Sequence, residues 1–311
     1  MNKRKLGSTG MMVSEIGFGA WQLGNANDWG KMTDSEGVQL VHKAIDSGCN
    51  FFDTAPNYGL GKSEELLGKA LKGKRHSVIV NTKFGHHPNG KLDFSVQALR
   101  QSVENSLTQL QTDYLDSILL HNPPFEYLNG SSPTFEALEA LKSEGKIRAY
   151  GASVDSSREM LEIMQTTKSQ VMEVLFNVFH QETASAFEMA KQKEIGLIIK
   201  VPLDSGWLSG KYNKLSSFEG IRSRWTREVI ERRSELLDKI SFMCADGTSM
   251  ANAALRFILA HDAVSTVIPG IKSMTQLNEN IFAGDDEMRP EIVERLKRVW
   301  EDEIKTSSLP W

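Results

Sequence analysis

The sequence predicts an α/β fold, a single closed (β/α)₈ or TIM barrel. Three observations carry this: eight short apolar runs, helical-period segments between them, and no linker that divides the chain. The runs lie at residues 15–20, 50–54, 78–83, 115–121, 147–153, 172–177, 197–201 and 266–269, and each reads as a buried parallel strand. Between them, segments such as 33–47, 95–110 and 183–193 place apolar residues near i, i+3, i+4 and i+7, as crossover helices do. The first, TDSEGVQLVHKAIDS, opens on Thr33 with Glu36 three residues later, the pattern of a capping box. An open doubly wound sheet is the rival fold. It would want a glycine-rich turn and a helix directly after the first strand, and Gly17-Phe18-Gly19-Ala20 lacks the third glycine and the helix. Residues 1–311 are therefore expected to form one barrel domain. Two stretches break its spacing: a long loop at 202–225 after the seventh strand, which suits a lid, and a tail at 288–311.

Composition narrows the function. Lys and Arg number 36 against 40 Asp and Glu, a net charge of −4, too weak a field to gather a polyanion, so nucleic acid is not expected as a partner. Cys49 and Cys244 stand far apart with no CxxC pair, which argues for a reducing, cytoplasmic setting. No stretch approaches the roughly 18 apolar residues of a membrane span, so no membrane association is expected.

Barrel chemistry sits at the carboxyl ends of the strands, and four polar residues fall there: Asp53 closes FFDTA, Tyr58 follows in the next loop, Lys83 closes VNTK, and His121 closes LDSILLH. A free tyrosine titrates near 10 and is a poor acid at neutral pH, so a buried ammonium beside it is expected to lower its pKa while a carboxylate keeps the lysine charged and aimed. His121 adds a donor for a carbonyl oxygen. The set can therefore polarise C=O and deliver a proton to it. Singly, each residue has a plainer reading: Asp53 as a turn cap, Tyr58 as a loop aromatic, His121 as a satisfied polar group. Their joint occurrence at successive strand ends favours the site. His86-His87 has no carboxylate or cysteine at ligand spacing, and no metal is expected.

These residues lie in stretches that resemble the aldo-keto reductases: LGSTGMMVSEIGFGAWQLG, FFDTAPNYGLGKSEELLGKAL, VNTKFG, QLQTDYLDSILLHNPP, KIRAYGASV, VPLDSGWLSGKY and VIPGIKSMTQLNENI. The resemblance spans nearly the whole chain. It implies a barrel that binds NADPH across its mouth without a Rossmann fold, and a tetrad of Asp53, Tyr58, Lys83 and His121 in which Tyr58 gives the proton. Ser153 matches the serine that holds the nicotinamide carboxamide, and Asn122, counted with the cofactor-facing residues, follows the catalytic histidine as it often does in the family. Pro202, Leu203, Ser205, Gly206, Gly210 and Lys211 match the loop around the pyrophosphate, where glycines and backbone N–H groups admit an anion. Gly270, Lys272 and Ser273 match the 2′-phosphate site at a helix start, with Gln276, Glu279 and Asn280 facing the adenine. Trp21, Glu173 and Lys200 complete the cofactor-facing set.

The chain departs from the family pattern at Val154, where an asparagine is usual, at Glu173, where a carboxamide-binding glutamine is usual, and at Lys200, where an aromatic stacks under the nicotinamide. Gln276 also replaces a common arginine, leaving Lys272 as the main cation of the 2′-phosphate site. Glu173 and Lys200 lie on neighbouring strands and are expected to face each other as an ion pair, with the nicotinamide half held loosely. Trp21, Phe84, Trp207 and Trp225 are the expected substrate-pocket walls, favouring a flat or apolar small-molecule carbonyl compound. Two other functions compete with NADPH-dependent carbonyl reduction: a cofactor-binding redox sensor or regulatory subunit with little turnover, and an aldolase-type barrel with Lys83 as the Schiff-base lysine.

Overall fold

The computed structural model describes residues 1–310; Trp311, the last residue of the expected tail, lies outside the described residues. A short antiparallel hairpin, Lys3–Lys5 against Met12–Ser14, precedes the barrel. Eight parallel strands follow: β1 (Phe18–Gly19), β2 (Phe51–Asp53), β3 (Ile79–Phe84), β4 (Leu115–His121), β5 (Ile147–Val154), β6 (Val171–Leu175), β7 (Gly196–Lys200) and β8 (Val264–Val267). They pair in chain order, and parallel bridges from Ile16 to Val267 and Gly19 to Gly270 join β1 to β8. The expected (β/α)₈ barrel is the one observed.

At this seam the backbones come close: an added Cβ on Gly19 would lie 2.8 Å from the carbonyl oxygens of Ile268 and Pro269, so only glycine fits. The β1 segment is shorter than the run at 15–20, because Glu15 and Ile16 meet β8 through isolated bonds rather than a continuous ladder.

Two-residue alternation sorts the strands into two faces. Phe52, Val80, Ile118, Ala152, Val174 and Ile199 turn outward to the helices, while Phe51, Ile79, Leu119, Ala149, Val171 and Ile198 fill the interior with Leu6 and Val13 of the hairpin. The hairpin thus plugs one end, and Arg4 secures it by donating to Glu15 and to the carbonyls of Leu259, His261 and Val264.

The helices start where their caps say. Thr33 and Glu36 form the expected capping box on Asp34–Asp46, Ser95 caps Val96–Leu110, and Ser156 with Glu159 forms a second box on Ser157–Thr166. The segment at 183–193 is not one helix: a 3₁₀ turn over Glu182–Ala186 leads into Phe187–Gln192. The tail contains a helix, Pro290–Val299, and buries Trp300, Ile304 and Leu309.

The stretch at 202–225 is anchored from below. Buried Asp204 accepts from Arg233 Nε at 2.9 Å, and Arg233 Nη2 donates to the carbonyl of Pro310 at 2.7 Å. Burial pushes the Asp204 carboxyl up, but the His180 imidazole, its Nε2 3.3 Å from Oδ1, and the Arg233 guanidinium overcome it and hold it down at about 2. Arg233→Leu should strand this carboxylate and destabilise the fold by about 3–5 kcal/mol, read by denaturant unfolding at pH 7. Adding Asp204→Leu should recover much of that loss.

Candidate active site

Asp53, Asn81 and Lys83 share the inward face of β2 and β3, because Asp53 pairs with Asn81 and Lys83 stands two residues further on. The Lys83 ammonium, with no solvent exposure, donates to both oxygens of Asp53 at 2.7 Å, to the Thr54 carbonyl at 3.1 Å and to the Tyr58 hydroxyl at 3.4 Å. Asn81 donates to Asp53 at 2.7 Å and accepts from Ser117 Oγ at 2.6 Å, fixing the carboxylate from beneath. Asp53, Tyr58 and Lys83 are thus one hydrogen-bonded unit. His121, at the end of β4, meets the Tyr58 ring edge-on at 5.9 Å and stacks on His86 at 4.4 Å.

Burial works to discharge Lys83, but the carboxylates of Asp53 and Glu173 overcome it and hold the ammonium above lysine's ordinary range. Lys83 as a Schiff-base nucleophile needs the opposite, a lowered pKa, so its surroundings count against the aldolase reading. Burial, then the charges of Lys83, His86 and Lys200, hold His121 well below the ordinary histidine value, so it stands as a neutral imidazole. Tyr58 differs from expectation. Burial is the largest influence, and together with Asp53 and Glu173 it outweighs Lys83, so the phenol sits above the ordinary tyrosine value rather than below it.

Glu173 and Lys200 do not pair with each other. Both point inward, but the register sets Glu173 beside Ile198 and Lys200 beside Leu175, an offset of two residues along the strands. Glu173 Oε2 instead lies 3.1 Å from Lys83. Lys200 pairs with Asp155 at 2.8 Å and donates to Asn122 Oδ1 at 2.8 Å and Ser153 Oγ at 2.7 Å. The Ser153 hydroxyl in turn reaches Asn122 at 2.9 Å and Glu173 Oε1 at 3.3 Å. Lys200 therefore engages Asn122 and Ser153, the serine expected at a nicotinamide carboxamide.

After β7 the backbone is strained. Val201, Asp204 and Ser205 have φ of 52°, 45° and 54°, and Gly206 has 102°. A β-branched residue in this region is an outlier, and such strain clusters where backbone must meet a ligand. Asn177 Nδ2 steadies the bend by donating to Val201 O at 2.9 Å. Pro202 and Leu203 lie within the bend, Gly210 closes the following 3₁₀ turn at Asp204–Ser209, and Lys211 is exposed beyond it. Arg224 Nη2 donates to Ser205 Oγ at 3.3 Å, bringing a cation to this loop that the sequence reading missed.

At the other end Gly270 sits in the seam against the Gln22 side chain, and Ser273 caps the helix Met274–Ile281 by accepting from Gln276 N. Lys272 is exposed, and its N–H donates to Gln276 Oε1. The Glu279 carbonyl accepts from Asn252. Asn280 is buried, and its Nδ2 has no hydrogen-bond partner among the described residues. That orphaned donor, with Lys272 and the capped helix start, fits a phosphorylated nucleoside.

Of the four expected pocket walls only Trp21 borders the tetrad from an exposed position, its ring 6.2 Å from Tyr58. Phe84 faces outward, opposite to Lys83, and packs on Phe94. Trp207 and Trp225 are buried in a cluster with Tyr212 and Phe218. They support the 202–225 stretch from within and do not line the mouth. His86 borders the mouth in their place.

Residues 15–301 match the Aldo/keto reductase family, and the chain belongs to it. It is similar to the oxidoreductase YqkF of Bacillus subtilis (strain 168), at 30% identity over 312 residues, 98% of this chain and 95% of that protein. Its fold is similar to the holo form of an aldo-keto reductase from Bacillus halodurans, with a TM-score of 0.81, 27% identity and 96% of each chain covered. It is also similar to an aldo/keto reductase from Klebsiella pneumoniae in complex with NADP and acetate, with a TM-score of 0.73, 26% identity and 96% of each chain covered.

Lys83→Met should leave Asp53 and Glu173 buried without their cation. Asp53, whose carboxyl burial and then Glu173 already push up to about 7, would lose the cation that lowers it and bind its proton still more tightly folded than unfolded, so stability should fall as pH rises through the raised folded-state pKa. Melting temperatures at pH 5 and pH 8 should show the variant closer to the parent protein at the lower pH.

Proposed function

We propose that this aldo-keto reductase is an NADPH-dependent carbonyl reductase that converts aldehydes or ketones to alcohols, with Tyr58 as proton donor. The observation that carries it is the Tyr58 hydroxyl 3.4 Å from the buried Lys83 ammonium, itself clamped by Asp53, beside a neutral His121. When bound, the reduced nicotinamide supplies the hydride for the carbonyl carbon. Tyr58 then donates its proton to the developing alkoxide, and the high pKa of the half-buried phenol is no obstacle because the alcohol formed is a weaker acid still. His121, uncharged, can donate a hydrogen bond to the carbonyl oxygen without contributing a proton. Lys83 keeps the phenolate from being stranded in a low-dielectric site after the transfer.

Gly270, Lys272, Ser273, Gln276, Glu279 and Asn280 would hold the adenosine half. The strained loop of Pro202, Leu203, Ser205 and Gly206, continuing to Gly210 and Lys211, would take the pyrophosphate. Trp21, Asn122, Ser153, Glu173 and Lys200 border the nicotinamide half, and the engagement of Ser153 and Asn122 by Lys200 favours a looser grip there. The sensor reading has less support, since binding alone requires no proton donor clamped against a buried cation. The free cysteines Cys49 and Cys244 suit a cytoplasmic enzyme.

Following cofactor absorbance across an aldehyde and ketone panel, Tyr58→Phe should reduce turnover by about 10²- to 10⁴-fold with NADPH binding unchanged. Retention of more than about a tenth of turnover refutes the assignment, since it falls far short of a general acid's contribution. NADPH should bind more tightly than NADH. A charge-assisted contact from Lys272 to a 2′-phosphate contributes about 1.5–3 kcal/mol, so Lys272→Ala should cost more than about tenfold in NADPH affinity and leave NADH nearly unaffected, by titration calorimetry.

A further inference from the structure

Lys83 faces two buried carboxyl groups, one more than a single ammonium can neutralise. Its ammonium touches both oxygens of Asp53 at 2.7 Å and Glu173 Oε2 at 3.1 Å, and all three side chains are buried. Asp53 closes β2 and Glu173 lies in β6, so the carboxylates grip the ammonium from opposite walls of the barrel. The Tyr58 hydroxyl is a further neighbour at 3.4 Å. Lys83 with Asp53 alone would be a neutral pair whose ammonium touches Tyr58. Glu173 adds a second carboxyl to that pair: burial and then the Glu173 charge push the Asp53 carboxyl up to about 7, and a phenolate at Tyr58 would meet the same repulsion where the dielectric is low.

We propose that Glu173 is a positioning residue for the reaction, one that acts through Lys83 to keep Tyr58 in its protonated, donating form and so biases the site toward carbonyl reduction. This rests on the reading of Tyr58 as the proton donor. The other charged or titratable groups near Lys83 leave the balance in place. Glu64, on the helix Lys62–Leu71, is a carboxyl raised by burial and hydrogen bonded by Thr82. His121 and His86 are both held below the ordinary histidine value by burial. Lys200 is neutralised by Asp155 and turned to Asn122 and Ser153. A glutamine at 173 would keep the side-chain shape and an acceptor for Ser153 while removing the charge.

The test is an ultraviolet titration of tyrosinate in the full-length protein and in Glu173→Gln, each corrected by its Tyr58→Phe counterpart so that Tyr58 alone is read. Tyr58 should ionise above the value of about 10 for a free tyrosine in the parent protein, and at least about one pH unit lower in Glu173→Gln. The acid limb of alcohol oxidation, which needs Tyr58 as base, should move down by the same amount. Equal midpoints in the two proteins overturn the proposal. So does a parent midpoint well below that of free tyrosine, a result that needs no folded variant. Turnover of Tyr58→Phe is read separately: intact turnover overturns the role of Tyr58 and the purpose assigned to Glu173 with it. Lost turnover with an unmoved midpoint overturns the role of Glu173 alone.

Discussion

A lysine side chain that ends inside a barrel with no exposure to water must be compensated there, and the site is organised around that requirement. Asp53 supplies two oxygens, Thr54 a carbonyl, Glu173 a second carboxylate and Tyr58 a hydroxyl, from β2, the loop after it and β6. These elements are far apart in sequence, so the cation is satisfied only when the barrel is assembled. Removing one partner leaves the others charged in a medium that does not tolerate them. The reactive hydroxyl is held by the same contacts that neutralise the lysine, which joins the chemistry to the stability of the fold.

Above this polar layer lies a second one, formed by Lys200, Asp155, Asn122 and Ser153. The Ser153 hydroxyl touches both Lys200 and Glu173 and so links the two layers. With a neutral amide at 173 and a ring at 200, the corresponding surface would be uncharged. Here a ligand arriving at the mouth meets a charged lattice already closed on itself, and any group it offers to Ser153 or Asn122 competes with an ammonium.

Much of this was legible in the sequence, for identifiable reasons. Strand ends announce themselves when a run such as LDSILLH breaks from apolar to polar, and they placed Asp53, Lys83 and His121 at one end of the barrel. The first helix start was marked by Thr33, whose side chain accepts where the capping-box spacing said it would, and the segment read from residue 95 does begin there, capped by Ser95. What failed depended on register and direction. Glu173 and Lys200 are on adjacent strands, but a two-residue offset sends each to a different partner, and adjacency alone does not give that offset. Phe84 follows Lys83 by one position and therefore faces the helices, a consequence of alternation that its aromatic character concealed. Asp155, Asn81, Arg224 and Arg233 are ordinary polar residues in the chain, and only tertiary packing gives them roles.

The seam between β1 and β8 joins residues 16–19 to 267–270, nearly the two ends of the chain. A nascent chain leaving the ribosome can pair the intervening strands as they appear, yet β1 keeps a bare edge until the last strand arrives. Until β8 docks, the strands form an open sheet with unpaired N–H and C=O groups at its edges, the condition in which strands of neighbouring molecules find each other. Closure comes late and draws on contacts of very large sequence separation, the kind that form slowly because the loop between them must be closed first.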